Sequence, residues 1–281
     1  MKIMKKTLAV LLALIMVSGA FALSVSAAGR KNYVLLGDSI AYGQGIANSQ
    51  DACYGKIVAD TNGYNYANYA IDGYTSANLL RHLDTDYVVD SVRKANIISI
   101  SIGGNDFLTS NMATLLVGTK LGSTRQLDSI GAKFAENFAA IIAKIKKLNS
   151  SAAILVQTVY NPNTGFFSDV YQDAVNTLNN TIRSYLASHK GAFVIVDVAL
   201  AFAGHAKEYI AVDTIHPNSK GNLVIAKLIL QKLKALGLGS STEPVIKNPA
   251  IDWAGSSGGS KDGIISYFVK LVRKYMAILF S

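Results

Sequence analysis

Short, unbroken apolar runs alternate along this chain with longer amphipathic ones. Tyr33–Leu36 is such a run and stops at Gly37, Asn96–Ile102 stops at Gly103-Gly104, Ala152–Tyr160 stops at Asn161-Pro162, and Ala192–Val198 is the last. Tyr64–Ala70 is a weaker fifth. A continuous run, as opposed to one alternating apolar and polar, is how a strand buried on both faces reads. Between the runs, Ser76–Lys94, Ile130–Lys147, Ser168–Lys190 and Ser219–Leu236 carry apolar residues at three- and four-residue spacing, which predicts helices. Strand and helix in alternation predict a three-layer α/β/α sandwich around a five-stranded parallel sheet. In such a fold the chemistry belongs at the carboxyl ends of the strands. No internal repeat interrupts the pattern.

Composition narrows the classes further. Half of the 281 residues are hydrophobic and 16% are charged, which excludes a disordered chain, a collagen or a coiled coil. A single cysteine, Cys53, excludes a disulfide scaffold and reads as a small buried hydrophobe. The net charge of +9 sits at the two ends: between residues 29 and 254, 20 basic residues face 17 acidic ones. No basic patch there is dense enough to argue for nucleic acid.

Each end has its own reading. Met1–Lys6 carries three lysines, Thr7–Val25 is almost wholly apolar, and Val25-Ser26-Ala27 offers small residues, with Ala28 next. That order predicts a secretory signal peptide over residues 1–27 and an exported mature protein. After the α/β segment, 28–238, Gly, Ser, Pro and Asn dominate residues 239–263, which predicts a flexible linker containing the only tryptophan, Trp253. In residues 264–281, Ser266, Lys270, Arg273, Lys274, Ala277 and Ser281 fall within one arc of about 100° of a helical projection, and apolar residues fill the rest. A basic amphipathic helix of this kind suits an anionic membrane or cell-envelope surface; docking onto the 28–238 segment or a partner protein are the alternatives.

Three strand ends hold chemistry-bearing residues. Gly37-Asp38-Ser39 follows the first strand, and a serine there has backbone N–H groups beside it, as a nucleophile needs. Alone, it reads as a helix-capping or turn serine. Gly103-Gly104-Asn105-Asp106 follows another strand, and Asn105 could aim its amide at a developing oxyanion, although Gly-Asn-Asp alone is an ordinary turn. Asp213-Thr214-Ile215-His216 precedes the last helix. A carboxylate there could fix one imidazole nitrogen and leave the other to take a hydroxyl proton. Nucleophile, oxyanion donor, orienting acid and base are a set that none of the motifs makes alone.

With these residues in order, the chain resembles the GDSL-type esterases and lipases of the SGNH hydrolase superfamily. VLLGDSIAYG, with Ile40 where the family name has leucine, AIDGYT around Gly73, Gly103–Asp106 and Asp213–His216 occur in the family's sequence, and the resemblance covers about residues 30–236. It implies a flavodoxin-like sheet, Ser39 as nucleophile, His216 as general base and Asp213 as the residue orienting it. The Ser39 and Gly73 backbone amides and the Asn105 side chain would form the oxyanion hole. No metal and no cofactor are implied. The substrate is then an ester: an acyl lipid or short-chain ester, favoured by the C-terminal segment, or acetyl groups on cell-wall or plant polysaccharides. For the latter, Tyr42, Tyr74 and Tyr160 could stack on sugars, with packing the plainer account. A non-catalytic surface-binding protein on the same fold is the contrasting reading, and the complete set Ser39, Asn105, Asp213 and His216 argues against it.

Two other patterns read as inert. Gly255-Ser256-Ser257-Gly258-Gly259 matches G-x-S-x-G but has no strand before it. His82-Leu83-Asp84-Thr85-Asp86 reads as a solvated helix face rather than a metal site. His189 and His205 have no partner pattern.

Overall fold

The computed structural model describes residues 29–108, 115, 118–165 and 167–253. The expected leader, residues 254–263 of the expected linker, with its G-x-S-x-G, and the expected 264–281 helix lie outside the described residues. The elements below belong to the compact unit that begins at Asn32.

Five strands pair in parallel: β1 (Asn32–Gly37), β2 (Asn65–Asn68), β3 (Ile97–Ser101), β4 (Ala153–Gln157) and β5 (Val194–Val196), in the order β2-β1-β3-β4-β5. Register follows the apolar runs, with Val34 opposite Ile98 and Ile98 opposite Ile154. Successive side chains of a strand point to opposite faces. Val34, Leu36, Ile98, Ile100, Ile154 and Val156 therefore join one core, and Tyr33, Leu35, Ile97 and Leu155 join the other. Both faces are buried, which is why the runs show no polar alternation.

Helices cover the two faces. After β1 come α1 (Ser39–Tyr42), α2 (Ser49–Ala52) and α3 (Tyr54–Asn62); after β2, α4 (Ser76–His82) and α5 (Asp86–Lys94). After β3 come α6 (Gly104–Leu108) and α7 (Arg125–Leu148); after β4, α8 (Ser168–Ser188). Beyond β5 lie α9 (Val198–Phe202), α10 (Ala206–Tyr209) and α11 (Ser219–Ala235). Residues of α4, α5, α7 and α8 close the first core; α3, α9 and α11 close the second.

Two expectations need correction. The helix expected over 76–94 is two helices, broken at Leu83-Asp84-Thr85. Asp and Thr favour turn and cap conformations over helix interiors, and the break lets Leu79, Leu83, Val88 and Val92 all enter one core. The solvated face expected at His82–Asp86 holds only for Asp84 and Asp86. His82 is buried, with Tyr74 and Tyr87 edge-on to its ring at 5.5 and 6.0 Å. Burial lowers its pKa, opposed by a hydrogen bond with the Tyr69 backbone.

The linker expectation also fails over residues 239–253, which form a strap bonded to the domain. Ser240 N–H donates to Asn62 Oδ1, Val245 N–H to Thr61 Oγ1, and Lys227 and Lys247 pair with Glu243 and Asp60. Composition predicts a linker there because Gly, Ser, Pro and Asn dominate it; backbone hydrogen bonds to side chains of the domain hold it instead.

Candidate active site

Gly37 ends β1 so tightly that a Cβ there would lie 1.9 Å from Ser101 O, and its φ of +137° suits glycine alone. That closeness brings Asp38 under the sheet's end, where its N–H donates to Ser101 O at 3.0 Å. The Asp38 carboxylate caps α1 by accepting Ile40 N–H at 3.1 Å, and it also accepts the Ser101 hydroxyl at 3.1 Å. Ser39 is thereby held as the first residue of a one-turn helix, at the carboxyl end of a central strand.

The Asp213–His216 loop reaches the same place from the far end of the chain. Asp213 Oδ1 accepts the N–H groups of Ile215 and His216, both at 3.0 Å, a turn that holds Thr214 at φ +66°. His216 Nδ1 donates to Asp213 Oδ2 at 2.5 Å, and its Nε2 lies 2.8 Å from Ser39 Oγ, 177 residues away in sequence. With the carboxylate fixing the proton on Nδ1, Nε2 is the acceptor for the Ser39 hydroxyl. Burial pushes the Asp213 carboxyl up, but the hydrogen bonds from the imidazole and the two amides outweigh it and hold the pKa below its ordinary value. Tyr160, just past β4, donates its hydroxyl to Ile215 O at 2.7 Å and so braces the loop. An aligned Asp-His-Ser chain of this geometry can move the serine proton to the imidazole while the charge that forms is stabilised.

A third segment closes the constellation. Asn105 is the second residue of α6 and donates from Nδ2 to Tyr74 O at 3.0 Å, next to Gly73. The Gly73 and Asn105 turns are tied by Asp106, whose carboxylate accepts both the backbone N–H (2.8 Å) and the hydroxyl of Ser76, while Asn137 Nδ2 donates to that hydroxyl at 2.9 Å. Burial raises the Asp106 pKa, and the Ser76 donors oppose it.

Ser39, Asn105 and His216 share the wall of a cavity of about 160 Å³. Its remaining walls are mostly apolar, with Ile40 on α1, Ile102 just past β3, Phe107 on α6, and Tyr171, Val175 and Leu178 on α8. Gly73 does not line it, although Asp72 does. Apart from Tyr160, the apolar walls of the cavity are not marked in the sequence. The spacing of the α8 residues gives a single apolar stripe, and nothing in it separates the part facing the cavity from the part facing the core. Of the three tyrosines, Tyr74 packs on His82 and Tyr42 packs against the second core; Tyr160 is buried against Phe202 at 4.7 Å and lines the cavity. Cys53 is buried, with its sulfur 3.4 Å from the Tyr66 hydroxyl, and burial raises its pKa. Among the described residues no group of three or more His, Cys, Asp or Glu is placed to hold a metal ion, and no helix is long and apolar enough to cross a membrane.

Asp38 was not singled out either, and it has a consequence for pH. Its burial pushes the carboxyl up to about 7, against the bonds from Ile40 and Ser101 and the nearby imidazole of His216, which favour the charged form. Between its ordinary value of 3.8 and about 7 the native state binds this proton and the unfolded state does not. Its contribution is therefore full below pH 3.8 and is lost as pH rises to about 7, on the order of 4 kcal/mol across the window. Asp38→Asn is expected to flatten that decline, and urea unfolding at pH 5 and pH 8 for both proteins measures it.

A family model described as the GDSL-like Lipase/Acylhydrolase family matches residues 35–224. The chain is 26% identical over 216 residues to the uncharacterized protein YpmR of Bacillus subtilis, covering 72% of this chain and 81% of that one. It is 23% identical to the spore germination lipase LipC of Bacillus licheniformis, covering 74% and 96%. Among solved structures, the lipase Lip_vut3 from a goat rumen metagenome superposes with a TM-score of 0.60 at 22% identity, covering 74% of this chain and 98% of that one. That likeness is one of fold.

Proposed function

Because the chain belongs to the GDSL-like lipase/acylhydrolase family and is a carboxylic ester hydrolase of the SGNH type, we propose that it is an exported serine esterase acting on esters with an apolar acyl chain. Ser39 attacks the ester carbonyl while His216 takes its proton, and Asp213 holds the imidazole in the tautomer that can do so. The Ser39 and Gly73 amides and the Asn105 side chain receive the oxyanion, which would turn the Asn105 amide from Tyr74 O toward the substrate. The alcohol leaves with the proton from His216, and water activated by the same imidazole releases the acid from the Ser39 acyl-enzyme. Export through the 1–27 leader, and attachment to a lipid or cell-envelope surface through 264–281, complete the proposal.

The observation that carries the substrate class is the cavity, whose largely apolar walls also hold Ser39 and His216. An acyl chain buried there gains about 0.8 kcal/mol per methylene, and the relative LipC is itself a lipase. Hydrolysis of p-nitrophenyl esters from acetate to dodecanoate tests it. The expected result is a kcat/KM that rises through the short chains and holds at eight carbons. A maximum at acetate with a steep fall would assign the protein to deacetylation of polysaccharides.

Losing one oxyanion donor costs on the order of 10²–10³ in kcat. Asn105→Ala is therefore expected to fall by that factor while keeping measurable turnover. Wild-type kcat would remove Asn105 from the mechanism.

A further inference from the structure

The strap reaches the active site. Asn48 grips it twice, donating from Nδ2 to Pro249 O at 2.9 Å and accepting Ile251 N–H at 2.8 Å, and Ala47 N–H donates to Ile251 O at 2.7 Å. Ile46 and Asp252 form an antiparallel bridge. On its other side the Asp252 carboxylate accepts the N–H (2.6 Å) and the hydroxyl (2.9 Å) of Ser219, three residues past His216. Gly45 is wedged between these segments: its φ is +102°, and a Cβ there would lie 2.3 Å from Pro217 O and 3.1 Å from His216 Cβ. Beyond Asp252, the half-buried Trp253 sets its ring across the His216 imidazole, with centroids 6.4 Å apart and planes at 70°.

Three stretches of chain thus meet at one joint: the loop after the Ser39 helix, the loop carrying His216, and the strap. We infer that Pro249–Trp253 is a positioning element of the active site, which clips the His216 loop to the segment following Ser39 and lays Trp253 against the imidazole so that Nε2 stays aimed at Ser39 Oγ. Asp213 holds the ring at Nδ1 only, about which an imidazole can swing. A ring packed on its flank removes that freedom, and the Asp252–Ser219 bonds stop the loop from drifting as a whole. The clip lies beyond residue 224, where the family match ends, and Trp253 is not among the residues lining the apolar cavity. Its action is therefore on the base and not on the acyl chain. The inference rests on the Ser39–His216 mechanism proposed above.

Misplacing a catalytic group by about 1 Å can cost on the order of 10² in rate. Trp253→Ala and Asp252→Ala, made in the full chain, are each expected to lower kcat for p-nitrophenyl octanoate about tenfold or more. KM should stay within about twofold, because the acyl site is untouched. Fluorophosphonate labelling of Ser39 should slow in parallel, and Trp253→Phe should restore most of kcat. A Trp253→Ala variant with wild-type kcat overturns the inference. So does a rise in KM at unchanged kcat, which would make Trp253 a wall for substrate. If Asp252→Ala fails to fold, the Trp253→Ala and Trp253→Phe pair decides alone. Ser39→Ala separates the two levels. Turnover by that variant sinks the mechanism itself, whereas an inactive Ser39→Ala beside a fully active Trp253→Ala sinks only the clip.

Discussion

Replacing Ser39 with alanine is expected to lower kcat for any ester substrate by on the order of 10⁶. The fold should not notice. Asp38 caps the one-turn helix through its own side chain, so the change removes a hydroxyl whose bond is to His216 Nε2. His216→Ala removes the acceptor of the same proton and should cost about as much. Residues that act as one unit are not additive, so the double variant should be little worse than either single one. Steady-state kinetics on the three proteins, with thermal melts to show that each is folded, checks this. Losses that multiplied in the double variant would mean that Ser39 and His216 act independently, which a hydrogen-bonded nucleophile and base cannot do.

Asp213→Asn is the second large effect, expected on the order of 10⁴ in kcat. The carboxylate serves two purposes. One oxygen accepts the Ile215 and His216 amides and shapes the loop, and the other fixes the proton on His216 Nδ1. An amide side chain can keep the first role through its carbonyl oxygen. It then turns its N–H₂ toward Nδ1, which favours the tautomer with the proton on Nε2, and that nitrogen can no longer take the serine proton. Loop geometry should therefore survive while catalysis fails. Because the native carboxyl lies below its ordinary pKa, Asp213 contributes stability above its unfolded value that is lost as pH falls through the folded one. The asparagine variant lacks that acid-side loss. Paired kcat values at pH 7, and melts at pH 7 and at pH 3, below the ordinary value of 3.8, measure the two effects, and near wild-type turnover would show that Asp213 does not set the tautomer.

What the sequence could reveal depended on whether the signal was local. Strands buried on both faces leave unbroken apolar runs, so β1, β3, β4 and β5 could be read directly, and turn residues marked where β1 and β3 stop. The runs overshoot where an apolar residue serves something other than the sheet: Val159 and Tyr160 line the cavity, and Val198 opens α9. Ser39 and Asn105 stand out because each follows a strand in a short polar motif and parallel topology gathers strand ends, whereas Asp213 and His216 come after α9 and α10 and are marked only by their own Asp-x-x-His spacing. The strap was not legible. Its hold comes from Asn48, Thr61, Asn62 and Ser219, polar residues far away in sequence whose amides and hydroxyls have no periodicity to betray them. His82 misled for the converse reason. A histidine among aspartates looks solvated, and only the break at Leu83–Thr85 turns it inward between two tyrosines.

In the proposed reaction Ser39 is the residue that carries the acyl group. Reaction of the purified protein with a fluorophosphonate, followed by intact mass and peptide mapping, tests that in one experiment. The predicted result is a single adduct on Ser39, formed in step with the loss of ester hydrolysis and absent from Ser39→Ala. An adduct on another residue, or full inhibition with Ser39 unmodified, would contradict it.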